Sequence, residues 1–389
     1  MILKYIKGDR VLWVVAILLA LFSMMPVYSA SSNIAFLYGT GDTFSMLSKH
    51  AIHLVLGLIL MYAAHNIPYR HFAAFSVIMM PIVLVLLLYT MFQGVNVSNA
   101  SRWIRLPFLG WTFQTSALAA VVLMVYLARA LTKTTAEDMK SFKKTFLPVI
   151  GPILLVCGLI LPSNFSTAAL VFAISMMVLF IGGYTLKNLL IILGGGIAGL
   201  ALFIVIVMAF PNISNRVETW KNRIENYSSD DPEDSYQVHK AKMAIAEGKI
   251  IGKGPGKSIQ TNFLPQSNSD FIFAVIVEEF GLIGALILVF FYVVFLIRTL
   301  MITTKAHTPF GSLIAIGMGL IIIVQAFVNL GVAVNLLPVT GQTLPLISAG
   351  GSSIWMTCIA IGIILSVSRG LPTKEQEMEG VEPELAHAE

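Results

Sequence analysis

The sequence predicts an all-α polytopic membrane protein of about ten transmembrane helices, with a large extracytoplasmic loop between helices 7 and 8. Three observations predict it. Hydrophobic residues make up 57% of the chain and charged residues only 12%, with a mean hydropathy of +0.84, a balance unsuited to a water-soluble fold. Apolar runs near the ~20 residues that a spanning helix needs recur along almost the whole chain. The cations between those runs are distributed unevenly, as the positive-inside rule requires.

The predicted spans are 11–28, 51–65, 73–92, 112–131, 146–161, 165–183, 188–210, 271–297, 312–337 and 352–368. The first has the cationic flank Lys4, Lys7 and Arg10, which also suits a signal peptide. Its apolar run is long and Pro26-Val-Tyr-Ser-Ala30 is a weak cleavage site, so an uncleaved helix is expected. With both termini cytoplasmic, the inside loops hold Arg70, Arg129, Lys133, Lys140, Lys143, Lys144, Lys187, Arg298 and Lys305, while the short outside loops hold chiefly Lys49, Arg102 and Arg105. The net charge of +5 follows from that topology and from anionic headgroups, and calls for no nucleic-acid partner. Cys157 and Cys358 fall inside apolar spans and read as packing residues, not as a disulfide or metal framework.

Residues 1–370 read as a single transmembrane domain and 371–389 as a disordered, acidic cytoplasmic tail. The long segment is the extracytoplasmic loop 211–270, with short helices of its own. In 215–227, Val217, Trp220 and Ile224 repeat at helical spacing opposite Arg216, Lys221 and Arg223, which suits either a headgroup-level helix or a plain surface helix. A second helix is expected over 235–247, stopping at Gly248.

Charge inside a hydrocarbon span is costly, so each ionisable residue there is a functional candidate. Asp270 ends a polar outside loop where an apolar helix begins, and it reads either as an N-cap or as a site residue. Glu278 and Glu279 follow about 12 to 13 Å farther along that helix, where at least one must face a polar partner or cavity. In 329–353, Pro338, Gly341, Pro345, Gly350 and Gly351 break the helix near membrane depth, and irregular backbone survives there only against protein or a watery cavity. Ser348, Gly350, Gly351, Ser352 and Ser353 are therefore candidates to line a substrate site. In the loop 98–105, Arg102 can grip a phosphate bidentately and Trp103 can anchor at the interface, though a surface Arg beside an aromatic-belt Trp explains them equally well.

Three tempting signals carry no chemistry. Gly252-Lys-Gly-Pro-Gly-Lys-Ser258 leaves one residue too few between its glycines for a Walker loop, and reads as a glycine-rich connector. His50 and His53 lack a third ligand and read as helix-end residues. Gly195 and Gly199 suggest close helix packing.

Five motifs taken together resemble the SEDS family of lipid II polymerases, the FtsW/RodA/SpoVE group, and within it the FtsW-like division branch. They are Ser-Arg-Trp-Ile at 101–104, Phe-Ser-Thr-Ala-Ala at 165–169, Tyr236-Gln237 with the later glycine-rich stretch, Leu-Pro…Asp-Phe-Ile-Phe-Ala at 264–274 followed by Glu-Glu, and Leu-Pro-Val-Thr-Gly…Leu-Pro…Ser-x-Gly-Gly-Ser-Ser at 337–353. The resemblance implies a multi-pass protein of the bacterial cytoplasmic (inner) membrane that polymerises lipid II into glycan strands and releases undecaprenyl pyrophosphate. It also implies that Asp270 is the catalytic residue. Such chemistry needs a base, cations for the pyrophosphate and an apolar groove for the polyprenyl tail. Asp270 can be that base or can hold a divalent cation, Mg2+ or Mn2+, and no organic cofactor is implied. Arg102 is placed to meet phosphate, with Lys242 and Arg223 as further candidates. The implied partners are lipid II, a monofunctional class B penicillin-binding transpeptidase, other division or elongation proteins, and membrane lipids.

The chain departs from the family pattern at two places. It has Gln114-Thr-Ser-Ala117 and Ala120 where relatives commonly read Gln-Pro-Ser-Glu with a Lys three residues on, and Pro162-Ser-Asn164 where they read Gln-Pro-Asp. Two other functions compete with polymerisation: a flippase or transporter using the same broken-helix cavity, which would lean on Glu278 or Glu279, and a catalytically idle scaffold for division.

Overall fold

The computed structural model describes residues 7–38, 43–97, 100–105, 111–209, 236–264 and 267–371. The chain is helical almost throughout: α1 Arg10–Tyr38, α2 Thr43–Asn66, α3 Tyr69–Gln93, α4 Thr115–Lys133, α5 Ala136–Lys140, α6 Phe142–Thr145, α7 Gly151–Ile160, α8 Phe165–Ile181, α9 Leu186–Ala209, α10 Tyr236–Gly248, α11 Ile272–Lys305, α12 Pro309–Ala333 and α13 Ser352–Ser368. Among the described residues, eight helices are long and apolar enough to cross a membrane, the stretch Phe142–Ile160 counting as one, and α8 and α13 are shorter apolar helices. This is a polytopic, all-α membrane fold.

The packing is that of a protein whose solvent is lipid. Met61, Leu123, Met124, Leu127, Ile174, Ile314 and Ile361 form the bundle core, while Phe75, Ile78, Val85, Leu282, Leu286 and Phe290 turn outward and exposed. Small residues let helices approach: a methyl on Gly57 of α2 would lie 2.9 Å from Cys358 Sγ of α13, and one on Gly362 would lie 2.5 Å from the Met61 carbonyl. By contrast, Gly195 and Gly199 of α9 meet no described atom within 4 Å, so the close packing expected of them does not occur there.

At one end of the bundle Asp9 draws three helices together. It caps α1 by accepting from Leu12 N at 3.0 Å, its own N–H donates to Ser368 Oγ of α13 at 3.0 Å, and Arg298 Nε of α11 donates to it at 2.8 Å.

Several elements differ from expectation for identifiable reasons. The fifth span starts as α6, passes through a π-helical turn Phe146–Ile150 and continues as α7. Pro148 and Pro152 lack the N–H groups that a regular ladder would use there. The predicted coil 98–105 contributes β2, Ala100–Arg105, to a small antiparallel sheet with β1, Val95–Val97, and β3, Thr112–Gln114. Because α2 begins at Thr43, His50 and His53 lie inside it, not at its end. His50 meets Ser23 Oγ at 2.9 Å, and the His53 ring packs against Trp111 and Trp355 with centroids 5.0 and 5.2 Å away. α12 stops at Ala333, before the predicted 337, where Asn335 takes a left-handed φ of 60°. α10 forms where the second loop helix was expected, whereas the amphipathic segment 215–227 and the tail beyond 371 lie outside the described residues.

Candidate functional site

A cavity of about 420 Å³ opens at the end of the bundle opposite Asp9, within the size range of ligand sites. Four helices begin around it, at Thr115, Phe165, Ile272 and Ser352. Each brings the positive end of its dipole toward the same space. The rim is polar, with Arg102, Trp103, Gln114, Asp270, Gln342 and Ser353, and the deeper wall is apolar, with Ala117, Ala120, Val121, Val171 and Ile321.

Asp270 is 9% exposed. It stands one residue before the cap position of α11, which Phe271 occupies. Its backbone is fixed from α12 and from the irregular segment that follows it. Asn329 Nδ2 donates to the Asp270 carbonyl at 2.9 Å and to the Gln342 carbonyl at 2.7 Å. Ser348 Oγ donates to the Ser269 carbonyl at 2.6 Å and accepts from Leu344 N at 2.8 Å, while Ala349 N donates to the Asn268 carbonyl at 2.9 Å. Side chains thus supply the hydrogen bonds that this non-helical stretch cannot make for itself.

Arg102 reaches the cavity from β2, where the register pairs Trp103 with Gln114, and its Nε donates to the Ser163 carbonyl at 3.2 Å. Gln114 N in turn donates to Ser352 Oγ at 2.8 Å, joining the sheet to the start of α13. Gly341 sits between the charged groups with φ +70°: a methyl on it would stand 3.5 Å from Asp270 Oδ2 and 3.6 Å from Arg102 Nη1.

Of the residues singled out from the sequence, Asp270, Arg102, Trp103, Gly350, Gly351, Ser352 and Ser353 line this one cavity. Ser348 stands behind it and orients Ser269. Glu278 and Glu279 are not among its lining residues. The Glu278 carboxylate accepts from Lys253 Nζ at 2.7 Å and from Ile259 N at 2.9 Å, and Glu279 accepts from Ser29 Oγ of α1. Lys242 is exposed on α10 and away from the cavity, and Arg223 lies outside the described residues.

Sequence reasoning missed Thr112, Gln114, Thr167, Gln325, Gln342 and Thr343, which line the cavity. Gln342 Nε2 donates to Thr167 Oγ1 at 2.8 Å and Gln325 Nε2 to the Thr343 carbonyl at 2.9 Å. Polar residues near helix starts were the available signal. The family departures were another, because Ala117 and Ala120 form part of the wall and Asn164 caps α8 by accepting from Thr167 N at 3.3 Å.

Fold and cavity define a multi-pass membrane protein with a charged, amphiphilic site at one end of its bundle. The chain belongs to the FtsW/RodA/SpoVE family of cell cycle proteins, whose model matches residues 9–372. It is 34% identical over 366 residues to the probable peptidoglycan glycosyltransferase FtsW of Geobacter metallireducens, covering 93% of this chain and 95% of that one. It is 30% identical over 371 residues to stage V sporulation protein E of Bacillus subtilis, covering 94% and 98%. A chain solved in work on the structural coordination of polymerization and crosslinking by a peptidoglycan synthase complex superposes with a TM-score of 0.71 at 25% identity, covering 93% and 98%.

Proposed function

We propose that the protein is a peptidoglycan glycosyltransferase that polymerises lipid II into glycan strands during cell division. The observation that carries this reading is the shared cavity of Asp270 and Arg102, whose polar rim and apolar wall suit a substrate with a charged pyrophosphate between sugars and a polyprenyl chain. The cavity end faces outward and the Asp9 end faces the cytoplasm, with ten crossings and both termini inside, as the loop cations require.

In the reaction an acceptor sugar hydroxyl attacks the anomeric carbon of the donor. The new bond forms between that oxygen and that carbon, the bond from the carbon to the pyrophosphate oxygen breaks, and its electron pair leaves with undecaprenyl pyrophosphate. Asp270 takes the hydroxyl proton. Arg102 and the N–H groups at the start of α13 stabilise the charge that builds on the leaving group, while Ala117, Ala120 and Val121 receive the first isoprene units.

Asp270 is the one carboxylate among the cavity's described lining residues, and no group of three or more His, Cys, Asp or Glu placed to hold a metal occurs among the described residues. If Asp270 acts as a ligand instead of as the base, it is the residue that would hold a Mg2+ or Mn2+ ion here. When bound, the ion supplies charge neutralisation at the pyrophosphate.

A class B penicillin-binding transpeptidase is the partner in this reading, receiving glycan to crosslink. The transport alternative leans on Glu278 and Glu279, whose hydrogen bonds run to loop residues and to Ser29, which weighs toward chemistry at Asp270. The test is to purify wild type and Asp270→Asn with the co-expressed transpeptidase, add lipid II and a divalent cation, and resolve glycan chains on a gel. Chains are expected from wild type alone. Chains from the folded mutant would remove Asp270 from the chemistry, and none from either would turn the question to lipid II translocation.

A further inference from the structure

α11 is two helices joined at Gly281, whose φ of 68° and ψ of −168° break the ladder. The loop that follows α10 enters the break. Lys253 N and Gly254 N donate to the Glu278 and Glu279 carbonyls at 2.9 Å each, and Leu282 N and Ile283 N donate to the Lys249 and Ile250 carbonyls at 3.0 and 3.2 Å. Bonds from the loop thus replace the helix's own on both sides of the kink. The approach is so close that only glycine fits. A methyl on Gly248, Gly252 or Gly281 would stand 2.0, 2.2 or 2.3 Å from a facing carbonyl oxygen.

The kink has a geometric purpose. Arg298 of α11 and Ser368 of α13 both meet Asp9, so they lie at one level. From there Asp270 is about 42 Å away along α11 and Ser352 about 24 Å away along α13, at 1.5 Å per residue. Both line the same cavity. The surplus length is absorbed where residues 272–280 lean over at Gly281 and bring Asp270 across the bundle.

A glycine pivot does not fix an angle by itself. We propose that Glu278 is the positioning residue that fixes it, by clamping the 253–260 loop onto the half-helix that carries Asp270. Glu278 is 0% exposed. Its carboxylate accepts from Lys253 Nζ, Ser258 Oγ, Ile259 N and Gln260 N, all of them from that loop. Lys253 also pairs with Glu247 of α10, and Gln260 Nε2 donates to Glu247 at 3.1 Å. α10 buries Ala241 and Ala244 in one cluster with Phe271 and Ala274, the residues just past Asp270. The carboxylate therefore knits loop, α10 and half-helix into one body without touching the cavity. A buried carboxylate held by four donors tolerates little displacement, because any lost partner leaves charge unsatisfied.

The inference rests on Asp270 being the catalytic carboxylate, and the experiment keeps the two claims apart. Full-length protein with Cys157→Ala and Cys358→Ala, co-expressed with its transpeptidase and held in nanodiscs, carries spin labels at two exposed positions, Ala246→Cys on α10 and Lys305→Cys at the far end of α11. The interlabel distance distribution is measured, and kcat and KM for lipid II are measured on unlabelled protein. Glu278→Gln is expected to broaden the distribution and lower kcat roughly 10- to 100-fold while KM stays within about twofold. Lys253→Met and Ser258→Ala, which each remove one donor, are expected to give smaller losses in the same direction, and they carry the test should Glu278→Gln not fold. Unchanged kcat overturns the proposal. So does a raised KM at constant kcat, which would make Glu278 a substrate-binding group, or a lost kcat with an unbroadened distribution. Asp270→Asn is the control, expected to keep the wild-type distribution and lose turnover. Residual turnover there would indict Asp270 alone and leave the distance result on Glu278 standing.

Discussion

The Asp270 carboxylate and the Arg102 guanidinium face the same glycine: a methyl built on Gly341 would lie 3.5 Å from one and 3.6 Å from the other. In the function proposed above, this brings a base and a phosphate-binding cation within reach of one substrate that presents a hydroxyl and a pyrophosphate close together. Most of the testable consequences of the site follow from that arrangement.

Arg102→Lys keeps the positive charge but loses the planar fork and the Nε bond to the Ser163 carbonyl. Polymerisation is expected to fall roughly tenfold in kcat/KM, and Arg102→Ala to fall further, with little change in thermal stability. Initial rates across a lipid II titration read this directly. Equal rates for all three proteins would show that the guanidinium binds no phosphate.

Gly341→Ala separates backbone from chemistry. The left-handed φ of +70° strains any residue with a Cβ, by about 1–2 kcal/mol. The added methyl meets Asp270 and Arg102 at ordinary contact distances, so no clash forces unfolding. A thermal shift of a few degrees is expected on that strain, together with a larger loss of turnover as the methyl occupies the space between the two groups. A stability loss with full turnover would mean that substrate does not pass between them.

Much of this was legible before any coordinates. The apolar runs located the helices because lipid leaves few alternatives to a helix, Asp270 and Arg102 stood out as charged groups at a membrane boundary, and 350–353 stood out as part of a helix break near membrane depth. What the sequence could not convey was convergence. Gln325 and Gln342 look like isolated polar residues until the irregular segment after Ala333 folds back and uses them to satisfy its own carbonyls and to bond Thr167. Glu278 and Glu279 were read by the rule that a charge at membrane depth marks a ligand site. The rule found real polar partners, but those partners are loop donors around a broken helix and Ser29 of α1, and the break at Gly281 is hidden inside a span that reads as one continuous helix.

Ala120 tests the apolar wall. It is 5% exposed and lines the cavity from α4, so Ala120→Leu fills space where the first isoprene units would lie. KM for lipid II with a full-length prenyl chain is expected to rise several-fold, while a short-chain, water-soluble analogue is used as well as before. The comparison is a pair of KM values on the same preparation. A proportional rise for both donors would place the lipid elsewhere and leave Ala120 as packing.

The Glu247–Lys253 pair sets the pH range over which the clasp on α11 holds. The hydrogen bond from Lys253 keeps the Glu247 carboxyl below its usual 4.5, so its contribution is complete above that value and is lost as pH falls through the lowered one. Burial pulls the Lys253 ammonium down, but its hydrogen bonds to Glu247 and Glu278 more than offset this and hold it above 10.5. Its contribution is therefore complete below 10.5 and is lost only as pH rises farther. The two windows overlap between about pH 5 and pH 10, where the loop's protease sensitivity and the interlabel distance distribution are expected to stay constant. As pH falls below 4.5 and through the lowered value, the distribution is expected to broaden as Glu247 takes a proton, and Glu247→Gln is expected to show that broad distribution already at neutral pH. A change centred between pH 6 and 8 would assign the clasp to a different titrating group.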